Sequence, residues 1–196
     1  MDSVSKEDRL KRVKADVRAC SLCPLHMGRM NPVVGDGCLD SPLVLVGEAP
    51  GRKEDEQGKP FVGSAGKLLD SMLEEAGLER SKLFITNIVK CRPPKNRRPL
   101  ANEVRACSGH LKTLLGIISP KVIAPMGNSS VGYFMRMFGL DGAKIGDIHG
   151  SPFRVEAGWG DVILFPLYHP AAVLYNRTLE QELRDDFSAL KVLLEV

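Results

Sequence analysis

The sequence predicts an α/β protein, a three-layer α/β/α arrangement around a central, mostly parallel four-stranded sheet. Short apolar runs occur at Leu43–Val46, Leu83–Val89, Lys121–Met126 and Val162–Leu167, each bounded by turn residues as buried strands are. Segments of helical periodicity alternate with them, and that alternation requires parallel strands joined by helical crossovers. Composition agrees: of 196 residues, 43% are hydrophobic and 26% charged, which sets aside disordered and fibrous classes. A single domain over residues 1–196 is expected from the length.

The elements follow in order. Ser5 is placed to cap a helix over Ser5–Arg18, with Asp8 three residues on and Leu10, Val13 and Val17 on one face. Met30–Ser41 is rich in Gly, Pro and Asp and reads as loop. The first strand ends in Gly47. Ser64 is placed to cap a helix with the stripe Leu68, Leu69, Met72, Leu73 and Ala76, stopped by Gly77. After the second strand, a helix from Asn102 carries Val104, Cys107, Leu111, Leu114 and Ile118 at 3-4 spacing. A helix over Asn128–Phe138 follows the third strand. For the last helix, Thr178 and Gln181 form a capping box, and Leu179, Leu183, Phe187, Leu190 and Leu194 the buried face.

Charge is uneven. The chain carries a formal +3, yet Lys90–Arg105 alone carries +5, from Lys90, Arg92, Lys95, Arg97, Arg98 and Arg105 against Glu103. Such a patch suits a polyanionic partner, or simply a solvated loop; charge alone does not separate the two. No apolar run approaches a membrane span, and Met1–Arg12 is too charged for a secretory signal. A cytoplasmic protein without membrane contact is expected, and its five cysteines are not expected to form disulfides. Cys20 and Cys23 stand at a two-residue gap, and Cys91 and Cys107 have fifteen residues between them. Four such thiolates suit Zn²⁺ or an iron–sulfur cluster, and spacing does not separate these.

In parallel α/β sheets the ligand sits beyond the carboxyl ends of the strands. Gly47-Glu48-Ala49-Pro50-Gly51 follows the first strand, Asn87 lies near the end of the second, and Tyr168-His169-Pro170 follows the fourth. These residues resemble the family 4, iron–sulfur, uracil-DNA glycosylases. The likeness extends through Glu54-Asp55-Glu56-Gln57-Gly58-Lys59-Pro60-Phe61-Val62-Gly63, then Thr86-Asn87-Ile88-Val89-Lys90-Cys91-Arg92-Pro93-Pro94, then His169-Pro170-Ala171-Ala172. With the cysteines it spans about Cys20 to Asn176.

The resemblance implies a structural [4Fe–4S] cluster on Cys20, Cys23, Cys91 and Cys107. The cluster would tie the N-terminal segment to the basic loop, leaving Cys38 as a small buried residue. It implies that Phe61 stacks on a flipped uracil and that Glu54 stands against the C5 methyl of thymine. It also implies that His169 and the backbone N–H of Ala49 stabilise charge at uracil O2. Asn87 can donate its amide N–H to O4 and accept from N3–H, a pattern that cytosine does not match. Glu48 is the candidate for positioning water.

Lys90, Arg92, Lys95, Arg97 and Arg98 are candidates for phosphate contact. In the loop after His169 the superfamily inserts an apolar wedge; Val173 or Leu174 could serve, Leu174 being preferred, with Tyr175 and Arg177 beside it for DNA contact. His26, His110 and His149 receive no role. The expected partner is uracil-containing DNA, single- or double-stranded, and the expected state is a monomer. Lys95-Asn96-Arg97-Arg98-Pro99-Leu100 lacks the Arg-Arg-Ile-His insertion of glycosylases that stay covalently attached to their product. The alternative from another class is a non-catalytic iron–sulfur nucleic-acid-binding module, which would not need Asn87, Phe61 and His169 together.

Overall fold

The computed structural model describes residues 4–195. Helix α1 (Lys6–Ala19) is capped by Ser5, whose side chain accepts from the Asp8 N–H at 3.1 Å. Val13 and Val17 are buried on its inner face. Strands β1 (Asp36–Gly37), β2 (Leu43–Gly47), β3 (Phe84–Asn87), β4 (Val122–Pro125), β5 (Phe153–Ala157) and β6 (Gly160–Leu164) form one sheet. Its order is β1-β3-β2-β4-β6-β5. The four central strands are parallel and are the four that the sequence predicts. The sheet therefore has six strands rather than four, because β1 and β5 add antiparallel edges.

Six helices complete the layers with α1: α2 (Arg52–Gln57), α3 (Ser64–Glu75), α4 (Ala101–Ile118), α5 (Gly127–Met137), α7 (Pro170–Tyr175) and α8 (Glu180–Glu195), with the single turn α6 (Ile145–Ile148) after α5. The core lies between sheet and helices: Leu43, Val44, Leu45 and Val46 of β2 are sealed on both faces, as a central parallel strand must be. Among the described residues, no helix is long and apolar enough to cross a membrane.

Three local expectations are corrected, and one helix is unexpected. The cap of α3 is Gly63 rather than Ser64, which is itself the first helical residue. Helix α2 has no apolar stripe to betray it; it is held by buried Asp55, whose Oδ1 accepts the N–H groups of Met30 and Asn31 at 3.0 and 3.3 Å. The last helix begins at Glu180 rather than at a Thr178–Gln181 box, and Asn176 Oδ1 accepts the Thr178 N–H instead. Cys38 is half-exposed beside β1 and not buried, its N–H donating to Leu83 O at 2.9 Å.

The segment joining β3 to α4 is pinned at its far end. Glu103, in the first turn of α4, is buried and takes both ends of the Arg97 guanidinium at 2.8 and 2.6 Å. Its Oε2 also accepts the Leu100 N–H at 2.7 Å, completing one side of a capping box. The Arg97 hydrogen bonds hold the Glu103 carboxyl below its usual range. A carboxyl lowered in the folded state stabilises above its unfolded pKa, and that stability is lost as pH falls through the lowered value. Glu103→Gln should therefore lower the melting temperature at pH 7, with the gap to the parent protein shrinking on acidification below the carboxylate range. A gap independent of pH, in paired thermal melts, would count against the ion pair.

Candidate active site

The chain leaves β2 toward β3 on one side and reaches β4 on the other, so the crevice beyond the end of β2 is the switch point of the sheet. A pocket of about 270 Å³ opens there. Glu48, Ala49, Glu54, Phe61, Asn87 and His169 all line it, with Arg97 at its wall. Residues spread over more than a hundred positions thus meet in one cavity.

Two glycines permit the closeness. A Cβ on Gly47 would stand 2.4 Å from Asn87 Oδ1 and 2.8 Å from Phe61 Cζ. Gly127, at φ +80°, lets the start of α5 pass His169: a Cβ there would stand 2.9 Å from the histidine Cβ. Phe61 itself adopts φ +53°, an uncommon conformation for a bulky residue and one that accumulates at functional sites. Arg80 stabilises this turn. Its Nη2 donates to Pro60 O at 2.9 Å and Phe61 O at 3.3 Å, while Nη1 pairs with Asp70 of α3. Nothing in the sequence pattern marked Arg80.

The Phe61 and His169 rings stack with centroids 5.6 Å apart and planes 28° apart. His169 Nδ1 accepts the Ala171 N–H at 3.1 Å, so the proton of the neutral ring resides on Nε2. Burial drives the imidazole pKa down to about 4, against a smaller opposing pull from Glu54. The ring is therefore a neutral hydrogen-bond donor across the physiological range. Glu54 Oε1 accepts the N–H groups of Val62 and Gly63 at 2.9 and 2.8 Å, which fixes the entry to α3 as well as one wall of the pocket. Glu48 is half-buried, with Oε2 3.8 Å from Arg98 Nε.

Cys20, Cys23, Cys91 and Cys107 line a second, small cavity between α1, the segment after β3 and α4. All are free thiols. They surround the space rather than converge: among the described residues, no three His, Cys, Asp or Glu side chains lie close enough to hold one metal ion. Hydrogen-bond donors face the sulfurs. Arg29 Nη1 lies 3.1 Å from Cys91 Sγ and the Lys90 N–H 3.3 Å from Cys107 Sγ. His110 also lines the cavity, and its buried Nε2 has no partner among the described residues. Burial raises the Cys91 thiol pKa, and it pushes the Cys107 thiol up to about 11. Four thiols, facing donors and an orphaned ring nitrogen fit a group bound through thiolates.

A family model described as the uracil DNA glycosylase superfamily matches residues 34–191. The chain belongs to that superfamily. A type-4 uracil-DNA glycosylase of Sulfurisphaera tokodaii is 43% identical over 95% of this chain and 85% of its own length. Type-4 uracil-DNA glycosylases of Archaeoglobus fulgidus and Thermotoga maritima are 40% and 41% identical, over 93% and 90% of this chain and 92% and 88% of theirs.

Within this superfamily member the residues expected to touch DNA divide. Lys95 and Arg98 are exposed, and Arg92 is half-exposed with Nε on Asn96 Oδ1 at 2.7 Å. Arg97 is engaged by Glu103, so its charge is already balanced. Lys90 is a correction: it is fully buried, donating from Nζ to Thr86 Oγ1 at 2.6 Å and Asn87 O at 2.7 Å, and cannot reach a phosphate. Of the two wedge candidates, Val173 is buried and Leu174, at the end of α7, is 49% exposed; Tyr175 beside it is 92% exposed. Arg177 is exposed beside them.

The close packing at Gly47 makes a direct forecast. Gly47→Ala should displace Asn87 or Phe61 and lower activity at this pocket at least about tenfold, a change of about 1.4 kcal/mol in barrier. Circular dichroism should remain that of the parent. Parental activity in that variant would show that the contact does not position these groups.

Proposed function

We propose that the protein is a monofunctional uracil-DNA glycosylase, which hydrolyses the N-glycosidic bond of uracil in DNA and leaves an abasic site. The observation that carries this is a single pocket at the strand ends holding the Asn87 amide, the Phe61 ring and a neutral His169 whose proton is on Nε2. A base rotated out of the stack would lie on Phe61 with its polar edge against Asn87. Asn87 donates to O4 and accepts from N3–H, so cytosine, which reverses both, is refused. Glu54, fixed at the wall, stands against a C5 methyl group.

The C1′–N1 bond breaks with positive charge on the sugar and its electron pair on uracil, largely at O2. Nε2–H of His169 and the Ala49 N–H stabilise that oxygen, and preorganised donors of this kind contribute several kcal/mol. Water then forms the C1′–O bond, with Glu48 orienting it and accepting its proton. Lys95, Arg98, Arg92 and Arg177 bear on phosphates, and Leu174 fills the gap left by the base. Cys20, Cys23, Cys91 and Cys107 hold a [4Fe–4S] cluster, which when bound cross-links α1 to the segments on either side of the basic loop. The protein acts on DNA in the cytoplasm.

Excision from a uracil-containing oligonucleotide beside a thymine control, followed by alkaline cleavage, tests the reading. Cleavage at uracil alone supports it. Asn87→Ala or His169→Ala should each lower the single-turnover rate by about 10²–10³ with the fold intact; a near-parental rate would remove that residue from the chemistry. The rate should not fall through pH 6.5, where an ordinary histidine titrates. With its pKa near 4, protonation of His169 should reduce the rate only on approach to that pH. Cys91→Ser should lose the visible absorbance of the cluster, and retention of four irons per chain would refute the ligand set.

A further inference from the structure

Between α4 and α5 runs an open groove of about 710 Å³. Its walls carry Arg98, Arg105 and Lys112 on one side and Arg136 on the other, all exposed, and no carboxylate lines it. Among the described residues, Arg105, Lys112 and Arg136 take part in no ion pair. Arg105, Lys112 and Arg136, held around one concavity with no ion-pair partner among the described residues, repel one another, an arrangement that a bound polyanion relieves. Tyr133 lines the groove, and its buried hydroxyl has no hydrogen-bond partner among the described residues.

Arg98 stands between the groove and the uracil pocket. Arg98 lines the groove and also faces Glu48 of the pocket at 3.8 Å. Arg105 and Lys112 are seven residues apart on α4, about 10 Å along the helix axis. That is about three times the 3.4 Å axial rise per nucleotide of B-form DNA, so the two side chains can meet different phosphates.

We propose that this groove binds the sugar–phosphate backbone of the strand flanking the flipped nucleotide, several nucleotides away from the excised base. The inference rests on the uracil-DNA glycosylase reading and extends it: Arg105, Lys112 and Arg136 form a phosphate track that begins at Arg98. Their contacts are with phosphate, so they add affinity without reading sequence. They do not touch the base, so their contribution depends on the length of strand present.

The test uses the whole protein and the triple variant Arg105→Gln, Lys112→Gln, Arg136→Gln. Binding of a uracil-free single-stranded oligonucleotide is followed by fluorescence anisotropy across a salt series. Loss of three phosphate contacts should reduce the slope of log Kd against log salt by about 2, at roughly 0.7 per contact. Excision should weaken on a long uracil oligonucleotide and stay parental on a trinucleotide. An unchanged slope, or equal loss on long and short substrates, would overturn the track while leaving the excision chemistry standing. If the parent protein excised no uracil but the slope still fell, the glycosylase reading would fail and the groove would remain a nucleic-acid site. Should the triple variant not fold, Lys112→Gln and Arg136→Gln singly should each reduce the slope by about 0.7; no change in either would overturn the track.

Discussion

At the end of β2 the backbone carries no Cβ at Gly47, and the space so left is shared by the Asn87 amide oxygen and the edge of the Phe61 ring. This three-way contact sets the size of the pocket. β3 must run parallel to β2 in a register that pairs Gly47 with Asn87, and Phe61 must accept a left-handed turn to bring its ring across. Hydrogen bonds from Arg80 to the two carbonyls of that turn help to offset the strain. His169 then packs on Phe61, and its desolvation keeps the ring neutral. Remove the first contact and each later one loses its reference position.

The pocket and the cysteine cavity are joined through Lys90. Its ammonium group is sealed beneath the pocket, on the Thr86 hydroxyl and the Asn87 carbonyl, while its backbone N–H faces Cys107. No carboxylate is among its hydrogen-bond acceptors, and burial lowers its pKa to about 8. A buried cation is costly unless negative charge lies near, and thiolates at Cys107 and its neighbours would supply it. The cysteines and the Asn87 backbone thus share one buried polar chain.

Much of this was legible in the sequence, for identifiable reasons. The four central strands are apolar throughout because helices cover both faces, and such runs need no partner to be recognised. Cys20 and Cys23 are marked by their two-residue gap, and Asn87 and His169 by standing at strand ends, where topology concentrates ligands. Lys90 was misread because charge in a basic segment says nothing about direction: its side chain is buried with Val89 and Cys91, whereas Lys95 and Arg98 of the same segment face solvent. Helix α2 escaped because its fixing group is a buried carboxylate bound to a distant loop rather than an apolar stripe. Arg80 and the unpaired cations of the α4–α5 groove depend on tertiary neighbours that no local pattern encodes.

The segment between Cys91 and Cys107 is tied at both ends, by the cysteine cavity on one side and by the Arg97–Glu103 pair on the other. Its internal turn at Pro94–Asn96 places Lys95 and Asn96 in left-handed conformations, with Asn96 bound by Arg92. The conformational entropy of this loop is therefore surrendered when the chain folds, not when it meets its partner. Encounter with a polyanion then requires little ordering of the backbone. Ionic strength should act on how often productive collisions occur rather than on how much of the loop must be organised afterward.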